Sequence, residues 1–288
     1  MSETIRHNIS RKQFLQGSAG IAAGMMAMGL VGCGGSSSDS SSGDSSSSDS
    51  SAADYTLIKD GTIISVGDYY YPPLLSMADS GNVEGFEVDM LAALCEKMGL
   101  KAEWLPTTKF DTLIPLIKQG GKADVSISSF TITDERKQEI DFTDPYLDSN
   151  QSLVTRADSP NQTAESLNVD GMRVCAQAGT TGEAWIQENI PNAECVPVDD
   201  TTGIMNGIQS GLYEGGVLDL PVASYLCKVS YTDLTVAESI ATGEQYGIVV
   251  SKDNPGLTEA LNKALEEIKS DGTYDQIQEK WFGETISE

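Results

Sequence analysis

Histidine is almost missing from this chain. The one copy in 288 residues is His7, inside an N-terminal basic and apolar segment, so acid–base chemistry in the rest of the chain would fall to carboxylates, Lys or Tyr. Basic residues are also scarce: 18 Lys and Arg stand against 43 Asp and Glu, a net charge of −25. That balance excludes nucleic acid as a partner; it keeps a soluble body dispersed and weakly attracts cations. Cysteine is sparse, and the four copies after Cys33 (Cys95, Cys175, Cys195 and Cys227) show no CxxC or metal-ligand spacing. No metal or other cofactor is expected. Long apolar runs are lacking too. Ile21 to Val31 is the longest, and it is too short and too rich in Gly and Ala to be a permanent membrane anchor.

That apolar run has a purpose at the N-terminus. Arg6, Arg11 and Lys12 precede it and Leu30-Val31-Gly32-Cys33 closes it. The arrangement reads as an export signal over 1–32, and small residues before Cys33 resemble the bacterial lipobox. The resemblance implies that Cys33 receives a lipid and becomes the mature N-terminus. A buried core cysteine is the other reading, but the sequence directly after Cys33 offers no core to join. Ser10-Arg11-Lys12-Gln13-Phe14-Leu15 is similar to a twin-arginine signal with Lys in the second basic position; an ordinary basic region is the alternative. Gly34 to Ala53 is Ser and Gly punctuated by Asp39, Asp44 and Asp49. It has no apolar residues to offset ordering entropy, so 33–53 reads as a lipidated Cys followed by a flexible tether with a span of about 25 Å.

The body from Asp54 to Glu288 alternates strand-like and helix-like segments, which argues for an α/β fold with largely parallel sheets. Thr62 to Val66 reads as a strand, and Phe86 to Met98 as a helix stopped by Gly99. Asp111 is expected to cap a helix running to Lys118, with Pro115 tolerated in its first turn. Asp124 to Ser128 is a strand, and Thr133 caps the next helix. A second set follows: strands at Met172 to Ala176, Glu194 to Val198, Gly216 to Leu218 and Tyr246 to Ser251. Helices are expected after Gly182, at Thr202 to Ser210, Pro221 to Val229 and Leu257 to Lys269, with a last one through Trp281. Cys175 and Cys195 lie in strand-like segments that could be neighbours and carry a disulfide; four buried thiols are the other reading. Two such units joined by strand-like crossings predict two lobes with a cleft, 54–149 plus 246–288 forming one and 150–245 the other. Ligands of open α/β sheets sit beyond the carboxyl ends of strands. That draws attention to Asp68, Ser128 to Thr131, Gly179 to Gly182 and Asp219.

Each of these residues has two readings. Arg136, in the first turn of the helix capped by Thr133, opposes the helix dipole. It is either a surface partner of Asp134 or Glu139 or a two-pronged carboxylate clamp. Thr180 and Thr181 enter a helix, either as plain caps or as an anion site with exposed N–H groups. Asp219 and Asp68 follow strands, as turn acids or as counter-charges for a cation. Among Tyr69, Tyr70 and Tyr71, one is expected in the core and one facing solvent, with stacking on a ligand as the functional alternative. Phe110 and Phe130 are candidate apolar walls.

Read together, the segments resemble one family. Gly85-Phe86-Glu87-Val88-Asp89-Met90-Leu91, Phe110-Asp111-Thr112-Leu113-Ile114-Pro115-Leu116, Thr131 to Arg136, Ile140 to Tyr146, Gly272-Thr273-Tyr274 and Lys280-Trp281-Phe282-Gly283 are similar to motifs of the solute-binding proteins of polar amino-acid ABC importers. The resemblance runs from about Ile63 to Gly283. It implies a two-lobed periplasmic-binding-protein fold (type II), a free amino acid as ligand, ABC permease subunits as partner, and a monomeric, lipid-anchored, extracytoplasmic receptor rather than an enzyme. It implies that Arg136, helped by Thr131 and Thr181 with Thr180 at the helix start, holds the ligand α-carboxylate. Asp219 would hold the α-ammonium with backbone at Ser129, and Asp68 would face the side chain. Tyr71 and Phe110 would sandwich that side chain, while Ser128 and Phe130 line the pocket and Asp89 is structural. Arginine, lysine, histidine, glutamine and a cystine-like compound all suit an acid between aromatic walls. The same fold also hosts dehydratases, and a ligand sensor working through a separate receptor is a further alternative.

Overall fold

The sequence Thr-Ile-Ile-Ser-Val at 62–66 has no polar alternation, and in the structure all five residues of this strand, β1 (Thr62–Val66), are buried. A strand buried on both faces belongs to a parallel sheet covered by helices. The structure, a computed structural model, describes residues 54–283; the expected signal segment, Cys33 and the tether lie outside them. After β1 come three short strands, β2 (Tyr70–Tyr71), β3 (Leu75–Met77) and β4 (Val83–Glu84), which form a small antiparallel sheet. Helix α1 (Phe86–Lys97), β5 (Lys101–Trp104), α2 (Phe110–Gln119), β6 (Val125–Thr131), α3 (Asp134–Glu139) and β7 (Asp141–Phe142) complete the first group. A long strand, β8 (Leu147–Arg156), leads to α4 (Ala164–Leu167), β9 (Arg173–Gln177), α5 (Thr181–Asn189), β10 (Glu194–Val198), α6 (Thr201–Gln209), β11 (Gly215–Asp219) and α7 (Leu220–Val229). The 17-residue strand β12 (Leu234–Val250) returns to the first group, followed by α8 (Pro255–Ser270) and α9 (Thr273–Phe282).

The strand order β10-β9-β11-β8-β12-β6-β1-β5 explains the architecture. Strands β5, β1 and β6 run parallel, as do β10, β9 and β11. Between these two groups lie β8 and β12, antiparallel to each other and to their outer neighbours. The fold is thus α/β and two-lobed, with two parallel groups connected through a pair of crossing strands. The register of β12 on β8 breaks between Val236 and Glu238 and again between Ile240 and Glu244. Such irregularities bend a strand and raise its twist, which lets one strand serve both groups.

Adjacent residues on β1 face opposite layers. Ile63 joins the large core with Phe86, Met90, Leu94, Leu257 and Leu261, whereas Ile64 joins a second core with Phe110, Leu113, Ile117 and Phe130. A third core of Leu153, Val174, Ile186 and Val217 underlies α5. Gly85, at the entry to α1, has φ 141°, and a Cβ there would lie 2.1 Å from the Leu74 carbonyl oxygen. Only glycine fits that approach.

Three expectations need correction. Lys109, not Asp111, is the N-cap residue of α2, and it makes no side-chain cap. Asp111 sits one position inside the helix, in the first turn, where its charge suits the dipole. Pro115 accordingly lies inside α2 rather than in its first turn. Finally, Cys175 and Cys195 are both free thiols. Register places Cys195 opposite Val174 and Cys175 opposite Val196, so side-chain alternation sends the two thiols to opposite faces, into different cores. The tyrosine run divides by burial: Tyr69 is in the core, Tyr70 is exposed, and Tyr71 reaches a cavity.

Candidate functional site

Strand ends from both groups converge on one cavity. The first group contributes Asp68 from the turn after β1, Tyr71 from β2, Phe110 from the first position of α2, Ser128, Ser129 and Thr131 from the end of β6, and Arg136 from α3. The second contributes Gln177 from the end of β9, Thr180 and Thr181 from the start of α5, and Asp219 from the end of β11. Ten of the eleven residues singled out from the sequence therefore line one space. The other, Phe130, is fully buried and lies behind Phe110, ring centroids 4.6 Å apart and nearly parallel. It backs the wall instead of lining it.

Arg136 is the one cation among the lining residues. Thr133 caps α3 by accepting from the Arg136 backbone N–H at 3.2 Å, which fixes where the side chain starts. The guanidinium lies 5.5 Å from the Phe110 ring centroid and 5.6 Å from that of Phe130. It donates to the carbonyl oxygens of Thr131 at 2.8 Å and Gly179 at 3.0 Å, one from each group. None of the ion pairs among the described residues includes it; Glu139 instead pairs with Lys118. Burial lowers its pKa, and the charges of Asp219, Glu244 and Glu135 oppose that shift. Remaining N–H groups of the fork can bind an anion. Close by, Thr180 caps α5 by accepting from the Glu183 N–H at 3.2 Å, leaving the first-turn N–H groups of α5 without intrahelical acceptors.

Asp219 is one of two carboxyls in the lining. It is buried and accepts from Gln151 Nε2 and from the Tyr246 hydroxyl. Burial, then the neighbouring Glu244 charge, pushes its carboxyl up to about 6. Asp68, also buried, accepts from Gln177 Nε2, which also reaches the Asp199 carbonyl oxygen at 3.1 Å. Burial raises Asp68 to about 6, partly offset by the Gln177 bond. Two buried carboxyls held above their usual range are sites where a cation restores the ionised form.

Ser129 has φ 51°, the one positive φ on a non-glycine among the described residues. Glu87 holds it there. Glu87 Oε1 accepts from the Ser129 N–H at 2.7 Å, the Ser129 hydroxyl at 2.9 Å and the Tyr146 hydroxyl. Its other oxygen, Oε2, is buried with no partner. Burial pushes this carboxyl up to about 7. A strained backbone held by a buried acid at a strand end is a mark of a functional site.

Sequence reasoning passed over Gln177, Glu87 and Glu244. Gln177 could have been found by running the strand before Gly179 one residue further. Glu87 lay inside a quoted motif. Glu244 had only its place in the second of the two crossing segments to signal it. No cluster of metal-ligating side chains occurs among the described residues, and no helix there is long and apolar enough to cross a membrane.

Comparison with known proteins adds a family. Residues 63–284 match the family of bacterial extracellular solute-binding proteins, family 3. The ABC transporter arginine-binding protein 1 of Escherichia coli (strain K12) is 34% identical over 218 residues, covering 74% of this chain and 87% of that one. The L-cystine-binding protein TcyJ of Escherichia coli (strain K12) is 31% identical over 229 residues, covering 79% and 85%. A solved ancestral arginine-binding protein bound to glutamine superposes with a TM-score of 0.73 at 36% identity, covering 78% of this chain and 100% of that one.

Proposed function

This chain belongs to the bacterial extracellular solute-binding proteins, family 3, and on that premise we propose that it captures a free amino acid with a polar or cationic side chain and delivers it to an ABC permease. The observation that carries the reading is the set of charges on one cavity: a single guanidinium, Arg136, and two buried carboxyls, Asp219 and Asp68, line it together. A zwitterion with a cationic or hydrogen-bonding side chain presents the complementary groups.

In this reading Arg136 takes the α-carboxylate, with Thr131, Thr180 and Thr181 around it. Asp219 takes the α-ammonium with the help of Ser129, whose backbone Glu87 positions. Asp68 and Gln177 meet the side chain between Tyr71 and Phe110, with Ser128 beside them and Phe130 behind. The protein works as a binding protein, not an enzyme, outside the cytoplasm. A lipid on Cys33 and the Ser/Gly tether hold the monomeric body near the membrane. Residues 54–149 with 246–288 form one lobe and 150–245 the other, and closure bends near Asn150 to Val154 and Gly243 to Ile248. The crossing of β8 and β12 between the two parallel groups supports that division.

A thermal-shift screen against the common amino acids tests the function. A ligand at 100 times its dissociation constant stabilises by about 2.7 kcal/mol. One polar amino acid should raise Tm in the wild type and not in Arg136→Ala; silence from all of them would sink the reading.

A further inference from the structure

Thr131 and Thr181, the two hydroxyls assigned above to the ligand carboxylate, already have an acceptor. Thr131 Oγ1 donates to Glu244 Oε2 at 2.7 Å, and Thr181 Oγ1 donates to the same oxygen at 3.0 Å. A threonine hydroxyl carries one proton. With both protons committed to Glu244, neither hydroxyl can donate to a second carboxylate. An anion in this corner is left with the Arg136 fork and the N–H groups at the start of α5. Glu244 comes from β12, at the register break that follows Ile240, so it approaches from the crossing strands, beyond the residues that line the cavity.

The same residue changes the charge balance. The charges of Asp219 and Glu244 act on the one guanidinium of the cavity, Asp68 adds a further carboxyl to its lining, and Gln151 Nε2 lies within hydrogen-bond reach of both Asp219 and Glu244. A zwitterion of net zero charge leaves the negative excess unchanged and sets its α-carboxylate beside Glu244. A ligand of net charge +1 offsets part of the excess. Partly desolvated charges within one cleft are poorly screened, so such differences count.

Resting on the amino-acid reading above, we propose that Glu244 is a specificity residue: its carboxylate holds the Thr131 and Thr181 protons and selects amino acids with a cationic side chain over their uncharged isosteres. The selection acts at the carboxylate end of the ligand, which the reading above gives to Thr131 and Thr181, and not at the side-chain end it gives to Asp68. Glu244 is therefore a built-in competitor for neutral ligands and an attractor for cationic ones.

The test is calorimetric titration with arginine against citrulline, and lysine against norleucine, on the wild type, Glu244→Gln and Glu244→Asp. The wild type should bind the cationic member of at least one pair more tightly. Glu244→Gln keeps the size and a carbonyl acceptor for the two hydroxyls but removes the charge; it should shrink that preference at least fivefold, mainly by tightening the neutral ligand. Glu244→Asp, which keeps the charge, should keep the preference. If Glu244→Gln does not fold, Glu244→Ser is read in the same way. A change below fivefold with binding intact overturns the role of Glu244 and leaves the amino-acid reading standing. A wild type that binds no member of either pair overturns the proposal, and one that binds no amino acid at all overturns both.

Discussion

Gln177 donates its side-chain amide to Asp68 across the cavity, although the two residues are 109 positions apart and stand on different parallel strand groups. Gln177→Ala removes the one side-chain donor that lowers the Asp68 pKa. A ligand with a cationic side chain can replace the lost donor; a ligand with a neutral side chain must do so with a weaker bond. Gln177→Ala is therefore expected to weaken neutral amino acids more than cationic ones, by about 1 kcal/mol. Titration of both classes into the variant checks this, and equal losses for the two would contradict it.

Arg136 is expected to dominate affinity. Its removal leaves a ligand carboxylate desolvated and unpaired, a loss of about 2–5 kcal/mol. Arg136→Lys keeps the charge but not the two-pronged geometry or the stacking against Phe110 and Phe130, so it should recover only part of the loss. Full recovery by lysine, measured by calorimetry, would argue against a fork-shaped contact.

Three buried carboxyls give the stability a direction with pH. Burial raises Asp68 and Asp219 from 3.8 to about 6, and Glu87 from 4.5 to about 7. A raised carboxyl pKa means that the folded protein binds the proton more tightly than the unfolded chain does. The stability so contributed is fully present below the unfolded values and is lost as pH rises through about 6 and 7. Tm of the ligand-free protein should fall between pH 5 and pH 8. Asp219→Asn and Glu87→Gln should each flatten that slope, as differential scanning calorimetry would read. A slope of opposite sign, or one untouched by both variants, would count against these charge states.

Ligand affinity should run the other way. Protonating Asp219 and Asp68 removes the counter-charges proposed for the ligand cations, so binding weakens as pH falls through about 6 and below. Dissociation constants measured from pH 5 to pH 8 check the point; tighter binding in acid would contradict the assignment of Asp219.

Gly85→Ala should be costly despite its distance from solvent chemistry. A Cβ at 2.1 Å from the Leu74 carbonyl oxygen, on a backbone with φ 141°, forces the entry to α1 to move. That shift dislodges Glu87, which holds Ser129. Denaturant unfolding should show a loss of at least about 1–3 kcal/mol, and an unchanged midpoint would show that the entry tolerates the side chain.

The legible parts of this chain were those where local chemistry and tertiary structure agree. Short stretches rich in β-branched and apolar residues marked β1 and β11, the 3.6-residue stripe of Leu257, Leu261, Ala264, Leu265 and Ile268 marked α8, and glycine and proline stood near their ends. Residues placed after such strands gathered at one cavity because strand ends of an α/β sheet face the same way. What stayed hidden were polar residues whose meaning is set by partners far along the chain. Leu147–Arg156 reads as mixed polar sequence, yet Gln151, Ser152 and Thr155 are buried in it, because β8 runs through the middle of the sheet and its side chains bond across it. Gln151 serves Asp219, and Glu244 serves Thr131 and Thr181. Phe130 was placed one layer too far forward, since it lies behind Phe110 in the core beside the cavity.

The most direct test of the account is isothermal titration of the wild-type protein and Arg136→Ala with arginine, lysine, histidine, glutamine and cystine. The account expects saturable one-to-one binding of at least one of them by the wild type, weakened by about 2–5 kcal/mol in the variant. Binding of equal strength in both proteins, or none in the wild type, would contradict the claim that this cavity holds an amino acid by its carboxylate.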